Sequence, residues 1–160
     1  MLSRFAKALL VVIPLAFPLL AAADSWNRYI NARFAYSIDI PPGFSKVEEA
    51  DNGDGGVSRS AEGDAELLVW GGYLVVGDFK SEIAERVRSD TIEGWKISYD
   101  RRTTSTASWS GSKGDRVFYA RAVEACDDAS IHFRLEYDRG DIESYNAIVG
   151  RLVKSLKGSC

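Results

Sequence analysis

Residues 130–137, Ser-Ile-His-Phe-Arg-Leu-Glu-Tyr, alternate apolar and polar side chains without a break. Ile131, Phe133, Leu135 and Tyr137 fall on one side, and His132, Arg134 and Glu136 on the other. A period of two marks a β-strand with one buried face. The chain before it reads the same way. Lys96 to Thr103, Thr104 to Ser110 and Asp115 to Ala125 are three further strands, with turns at Gly111-Ser112-Lys113-Gly114 and Asp127-Asp128. After it the period changes. Between Asp141 and Leu156, residues Ile142, Tyr145, Ile148, Val149, Leu152, Val153 and Leu156 recur at helical spacing and make a broad apolar face. Asp141 and Glu143 at its start, and Arg151, Lys154 and Lys157 near its end, suit the helix dipole. Gly158 reads as its stop.

Further towards the N-terminus, Trp26 to Ile40 reads as a hairpin turning at Asn31-Ala32-Arg33. Phe34, Tyr36, Ile38 and Ile40 alternate along its second arm until Pro41-Pro42-Gly43 ends it. Asp51 to Gly56 is a flexible glycine-rich loop, Val57 to Ala61 a short strand, and Glu62-Gly63-Asp64 a turn. Ala65 to Tyr73 carries apolar residues on both faces, as in a strand covered twice. Asp78 to Ser89 is a helix with Phe79, Ile83 and Val87 on one stripe, Asp78 as its cap, and Glu82 and Arg86 paired one turn apart. Strands and helices do not alternate, so a parallel doubly wound sheet does not fit. The expected class is α+β: an antiparallel sheet of about six to seven strands packed with two main helices in an αβα sandwich.

Residues 1–23 carry the pattern of a cleavable export signal. Arg4 and Lys7 precede an uncharged run from Ala8 to Leu20, and Ala21-Ala22-Ala23 follows. The run contains Pro14 and Pro18 and is shorter than the roughly 20 apolar residues of a spanning helix. No cysteine lies near the expected cleavage point, so a lipid anchor is not expected there. Residues 24–160 then form a single domain, periplasmic or secreted and not membrane-spanning. An oxidising compartment allows its two cysteines, Cys126 and Cys160, one internal disulfide. The whole chain has a net charge of −3, and losing Arg4 and Lys7 makes the remainder more acidic. An acidic chain lacks the basic excess of a nucleic-acid binder. With 46% hydrophobic and 27% charged residues it is composed like an ordinary globular domain, not a disordered segment.

Three pieces together resemble a known fold. They are Tyr29-Ile30-Asn31-Ala32-Arg33-Phe34-Ala35-Tyr36-Ser37-Ile38-Asp39-Ile40-Pro41, the strand through Phe118-Tyr119-Ala120-Arg121, and Phe133-Arg134-Leu135-Glu136-Tyr137 leading into the Tyr145 to Ser155 helix. The arrangement is similar to small exported bacterial proteins of unassigned function and, more loosely, to the PsbP-like fold of the photosystem II extrinsic proteins. The resemblance implies an antiparallel sheet between helices, and a binding or assembly role. It supplies no catalytic motif to match.

Asp51 to Glu62 has the length of an EF-hand loop. Gly53 and Gly55 bring no side-chain oxygen, however, and Arg59 puts a positive charge where the ion would sit. One histidine and two cysteines do not make a zinc site. No nucleophile elbow or phosphate loop is present. No catalytic, metal or cofactor residue is therefore named. Trp70-Gly71-Gly72-Tyr73 places two aromatics beside bare backbone, and Trp109 lies on a Ser- and Thr-rich strand. With Arg121 as a polar contact, Trp70, Tyr73, Trp109 and Arg121 are the candidate ligand or partner surface. His132 reads as an exposed strand histidine. The expected function is a non-catalytic binding or accessory module, monomeric, for an envelope protein or small ligand. The rival readings are a small hydrolase using surface carboxylates, and an inhibitor of a secreted hydrolase presenting Asp51–Gly56 or Gly111–Gly114.

Overall fold

The alternating segment 130–137 is the body of strand β9 (Ala129–Asp138). The computed structural model describes residues 25–158. The export signal over 1–23, and Cys160 of the expected disulfide, lie outside the described residues. Before β9 come β1 (Asn27–Asn31), β2 (Tyr36–Ile40), β3 (Glu48–Glu49), β4 (Gly55–Arg59) and β5 (Glu66–Tyr73). Helix α1 (Phe79–Ile92) follows, then β6 (Lys96–Arg102), β7 (Thr106–Lys113) and β8 (Arg116–Ala125). After β9 come α2 (Ile142–Ser155) and β10 (Lys157–Gly158).

The main sheet has seven strands in the order β3-β4-β5-β9-β8-β7-β6, and each neighbouring pair is antiparallel. The chain leaves β5, crosses the sheet as α1 and re-enters at the far edge as β6. Three hairpins then bring it back until β9 pairs with β5. A second sheet, β1-β2-β10, packs with α2 on the opposite face from α1. The α+β class and the antiparallel sheet with helices on it are as the residue pattern predicts.

Alternation assigns the two faces. Leu67 and Val69 of β5 and Ile131, Phe133 and Leu135 of β9 point towards α2. They pack with Tyr36, Ile38 and Ile40 of β2 and with Leu152 and Leu156. Each fully buried side chain of this kind is worth about 1.5–3 kcal/mol relative to exposure. On the other face Phe79 and Ile83 of α1 pack on Trp95, Trp109, Phe118 and the small residues Ala107, Ala120 and Ala122. Those small side chains let the helix lie close to the strands. Asp78 caps α1 by accepting from the Ser81 N–H at 2.8 Å. The helix runs past Ser89 to Ile92, and Gly94, at φ +93°, makes the left-handed exit.

Several local readings need correction. His132 is fully buried, because α1 roofs the face that the charged alternation assigns to water. Gly111 to Lys113 belong to β7, so the turn is shorter and centres on Gly114 at φ +57°. Gly158 does not stop the helix, which ends at Ser155 with Leu156 extended as its cap, but pairs with Tyr36 in β10. The loop before β4 is tied down rather than loose, and Gly55 and Gly56 are already in the strand. Asn31 donates to the Gly53 carbonyl at 3.0 Å, Tyr36 donates to the Asp54 carbonyl at 3.1 Å, and Arg33 donates to the Asn52 carbonyl. Burial pushes the Tyr36 phenol far above its usual range.

Candidate functional site

The four candidate surface residues do not share a surface. Trp70 and Trp109 face α1, whereas Tyr73 and Arg121 lie on the other side of the sheet, as the strand pairing dictates. Trp109 is buried, and its indole N–H donates to Asp90 Oδ2 at 2.7 Å. Trp70 lies flat on the His132 ring, with centroids 4.8 Å apart and planes 2° from parallel. The Arg86 guanidinium sits 5.7 Å from the Trp70 ring centroid. Arg121 spends one donor on Ser108 Oγ at 3.0 Å. The bare backbone at Gly71 is not open space either. A Cβ there would come within 2.4 Å of Phe34, so this glycine is the seat of that ring.

Under α1 the charges are paired. Asp90 accepts from both Trp109 and Arg134, and Arg134 also reaches Glu136 at 2.6 Å. The Arg134 guanidinium lies 3.7 Å above the Phe118 ring, a cation–π contact. Burial, and then the positive charge of Arg86, holds the His132 imidazole well below its ordinary range. The ring is thus neutral, with Nε2 and Ser130 Oγ 2.7 Å apart. A cleft of about 270 Å³ between α1 and the sheet is lined by Trp70, Glu85, Arg86, Asp90 and Glu93 among others. Three of its carboxylates, Glu82, Glu85 and Asp90, are already engaged by arginines.

Glu82 makes a second connection. Its Oε2 accepts from the backbone N–H of both Val75 and Val76 at 3.2 Å. Leu74 donates its N–H to the Asp128 carbonyl at 2.7 Å, and its side chain packs into the α1-side core. The segment after β5 is therefore fixed by its backbone. Its side chains point outward: Val75 is 84% exposed, Tyr73 61% and Val76 44%. Tyr73 meets Phe34 edge-on at 5.3 Å, which joins this apolar tip to the β1–β2 turn. The candidate surface thus includes Tyr73 but misses the valines and their buried anchor. The signal for the anchor was the Glu82, Arg86 and Asp90 stripe at intervals of four, flanking the apolar stripe of α1.

Among the described residues no helix is long and apolar enough to cross a membrane, and no three His, Cys, Asp or Glu side chains gather as metal ligands. No protein-family model matches the chain, and no curated protein matches it in sequence. Solved structures do. Cyanobacterial PsbP (CyanoP) from Synechocystis sp. PCC 6803 superposes with a TM-score of 0.59 at 16% identity, over 91% of this chain and 99% of that one. The Ran-binding protein Mog1p of Saccharomyces cerevisiae gives 0.60 at 12% identity, over 84% and 96%. A Mog1 mutant gives 0.61 at 10% identity, over 83% and 95%. At these identities the likeness carries the fold and no activity. The chain has the α+β fold found in PsbP and Mog1.

Proposed function

We propose that the protein is an exported, non-catalytic binding or accessory domain that engages an envelope protein through the tip formed by Tyr73, Val75 and Val76. One observation carries the reading. The backbone of the tip is held from inside by a buried carboxylate, while its apolar side chains are left in water. Exposed apolar groups on a rigid mount lose little conformational entropy on binding, and burying them against a partner is favourable. The composition of residues 1–23 supports export. A Cys126–Cys160 disulfide belongs to the same proposal, and among the described residues no cysteine is free. One structure with this fold is that of a Ran-binding protein, so the scaffold serves partner binding there.

The test is capture from envelope extract with the wild-type protein and with the double variant Val75→Glu, Val76→Glu. Both substituted side chains are outside the core, so thermal unfolding should be unchanged. The expected result is a discrete polypeptide retained by the wild type and lost by the variant. Equal capture by both, or nothing above background for either, contradicts the proposal.

A further inference from the structure

The α2-side face of the main sheet changes character across its width. Over β5 and β9 it is dry core. Over β6 and β7 it is polar, on β8 Arg121 interrupts the apolar Val117, Tyr119, Val123 and Ala125 that join that core, and three rows of paired residues cross it. Arg101 and Arg121 flank Ser108 in one row, Tyr99 and Tyr119 flank Ser110 in the next, and Lys96 sits beside Ser112 in the third. Tyr99 and Tyr119 bring their rings together over the middle row, with centroids 6.4 Å apart and planes 23° from parallel. Between this face and α2 runs a groove of about 370 Å³, within the range of small-molecule sites. Its lining includes Ser98, Ser110, Ser112, Tyr119, Asn146 and Arg139, and no carboxylate, while Tyr99, Arg101 and Arg121 are outside that lining on the sheet face beside it.

One feature separates this half-face from the rest of an acidic chain. Among the described residues, the arginines without a carboxylate within ion-pair distance are Arg33, Arg101, Arg121 and Arg139. Arg33 is satisfied by a backbone carbonyl, and the other three belong to this face and its groove. The Arg121 Nε is buried with no hydrogen-bond partner. The hydroxyls of Ser110, Ser112, Tyr99 and Tyr119 make no side-chain hydrogen bond among the described residues, as is also true of Ser37, Ser89 and Tyr73 elsewhere, so they are free to meet a ligand. Unpaired guanidinium groups fit an oxyanion, because their planar forks form short charge-assisted bonds to phosphate or sulfate oxygens. Uncommitted hydroxyls beside aromatic rings fit a polyhydroxylated ring.

We propose that this half-face binds a sugar bearing a phosphate or sulfate group, its oxyanion held by Arg101 and Arg121 and its ring lying along Tyr99, Ser110 and Tyr119. The site is separate from the apolar tip and does not rest on the partner-binding reading. It is tested by titrating the purified protein at low salt with glucose 6-phosphate, glucose 6-sulfate, glucose and inorganic phosphate, following backbone amides by NMR. Low salt matters because exposed charges are screened within about 10 Å at 0.1 M. The expected result is saturable shifts at Tyr99, Ser110 and Arg121 with at least one of the two charged sugars. Glucose and inorganic phosphate should each bind about tenfold more weakly, one lacking the charge and the other the ring. The relative strength of the two charged sugars identifies the group. Arg101→Gln, at an exposed position, should weaken the better ligand by about tenfold without altering thermal unfolding. No saturable shift at these amides up to about 10 mM would overturn the proposal. So would equal binding of inorganic phosphate, or unchanged affinity in Arg101→Gln.

Discussion

The two faces of the seven-stranded sheet are built from the same strands by different means. Towards α2, β5 and β9 present large aliphatic and aromatic side chains that meet β2 and α2 with no charge between them. Towards α1, those strands present Trp70, His132, Arg134 and Glu136, and α1 answers with Glu82, Arg86 and Asp90. The first face is held mainly by burial, which is large and undirected, with Arg151 and Ser155 of α2 tied to Asp39 of β2 at its rim. The second joins a smaller apolar cluster to directed contacts between charged and polar groups, and these leave Arg86 Nε and His132 Nδ1 without partners. The α2 side therefore supplies most of the stability. The α1 side fixes position, and through Glu82 that precision reaches the exposed tip.

The largest effect should come from the dry face. Phe133→Ala removes a fully buried ring between the sheet and α2 and should cost about 3–5 kcal/mol, read as a lower denaturation midpoint with an unchanged slope. A loss below that of any α1-side variant would break the contrast.

A smaller loss is expected where the α1 face is broken one partner at a time. Asp90→Ala leaves Arg134 with Glu136 as its one carboxylate partner, strands the Trp109 N–H, and should cost about 1–3 kcal/mol. Replacing the pair together, as Asp90→Leu with Arg134→Met, should recover part of that loss. If the double variant is no better than the single one, the network is not a matter of mutual satisfaction.

The third prediction concerns pH. In the unfolded chain His132 takes up a proton near its ordinary value of 6.5, and in the folded protein it stays neutral far below that. The unfolded state thus binds more protons below pH 6.5. Stability is intact above that point and falls as pH drops towards the folded value, by about 1.4 kcal/mol per unit. His132→Phe keeps a ring against Trp70 and should flatten the slope between pH 5.5 and 6.5, above the carboxylate range. An unchanged slope in that window would mean that the imidazole is not the group responsible. The smallest effect is expected for Asp78→Ala at the solvent-exposed cap of α1, a slight fall in the unfolding midpoint.

The α2-side face was readable from the chain alone, because alternation in Ile131, Phe133 and Leu135 and the broad stripe on α2 need only a period to be recognised. The α1 side was not. His132, Arg134 and Glu136 look solvated by type, and only the crossing of α1 over the sheet puts them indoors. Trp70 and Tyr73 look like one platform because they are close in sequence, yet three residues along a strand is an odd step and sends them to opposite faces. The two shortest strands, β3 and β10, carry no pattern of their own and exist because β4 and β2 offer free edges.

The functional account turns on the tip after β5. A photo-crosslinking side chain placed at position 75 in the exported protein, with a control at Ile92, which is also exposed, tests it in the native envelope. The account predicts a discrete protein adduct from position 75 that is absent from position 92. No adduct at position 75, or the same adducts from both positions, would contradict it.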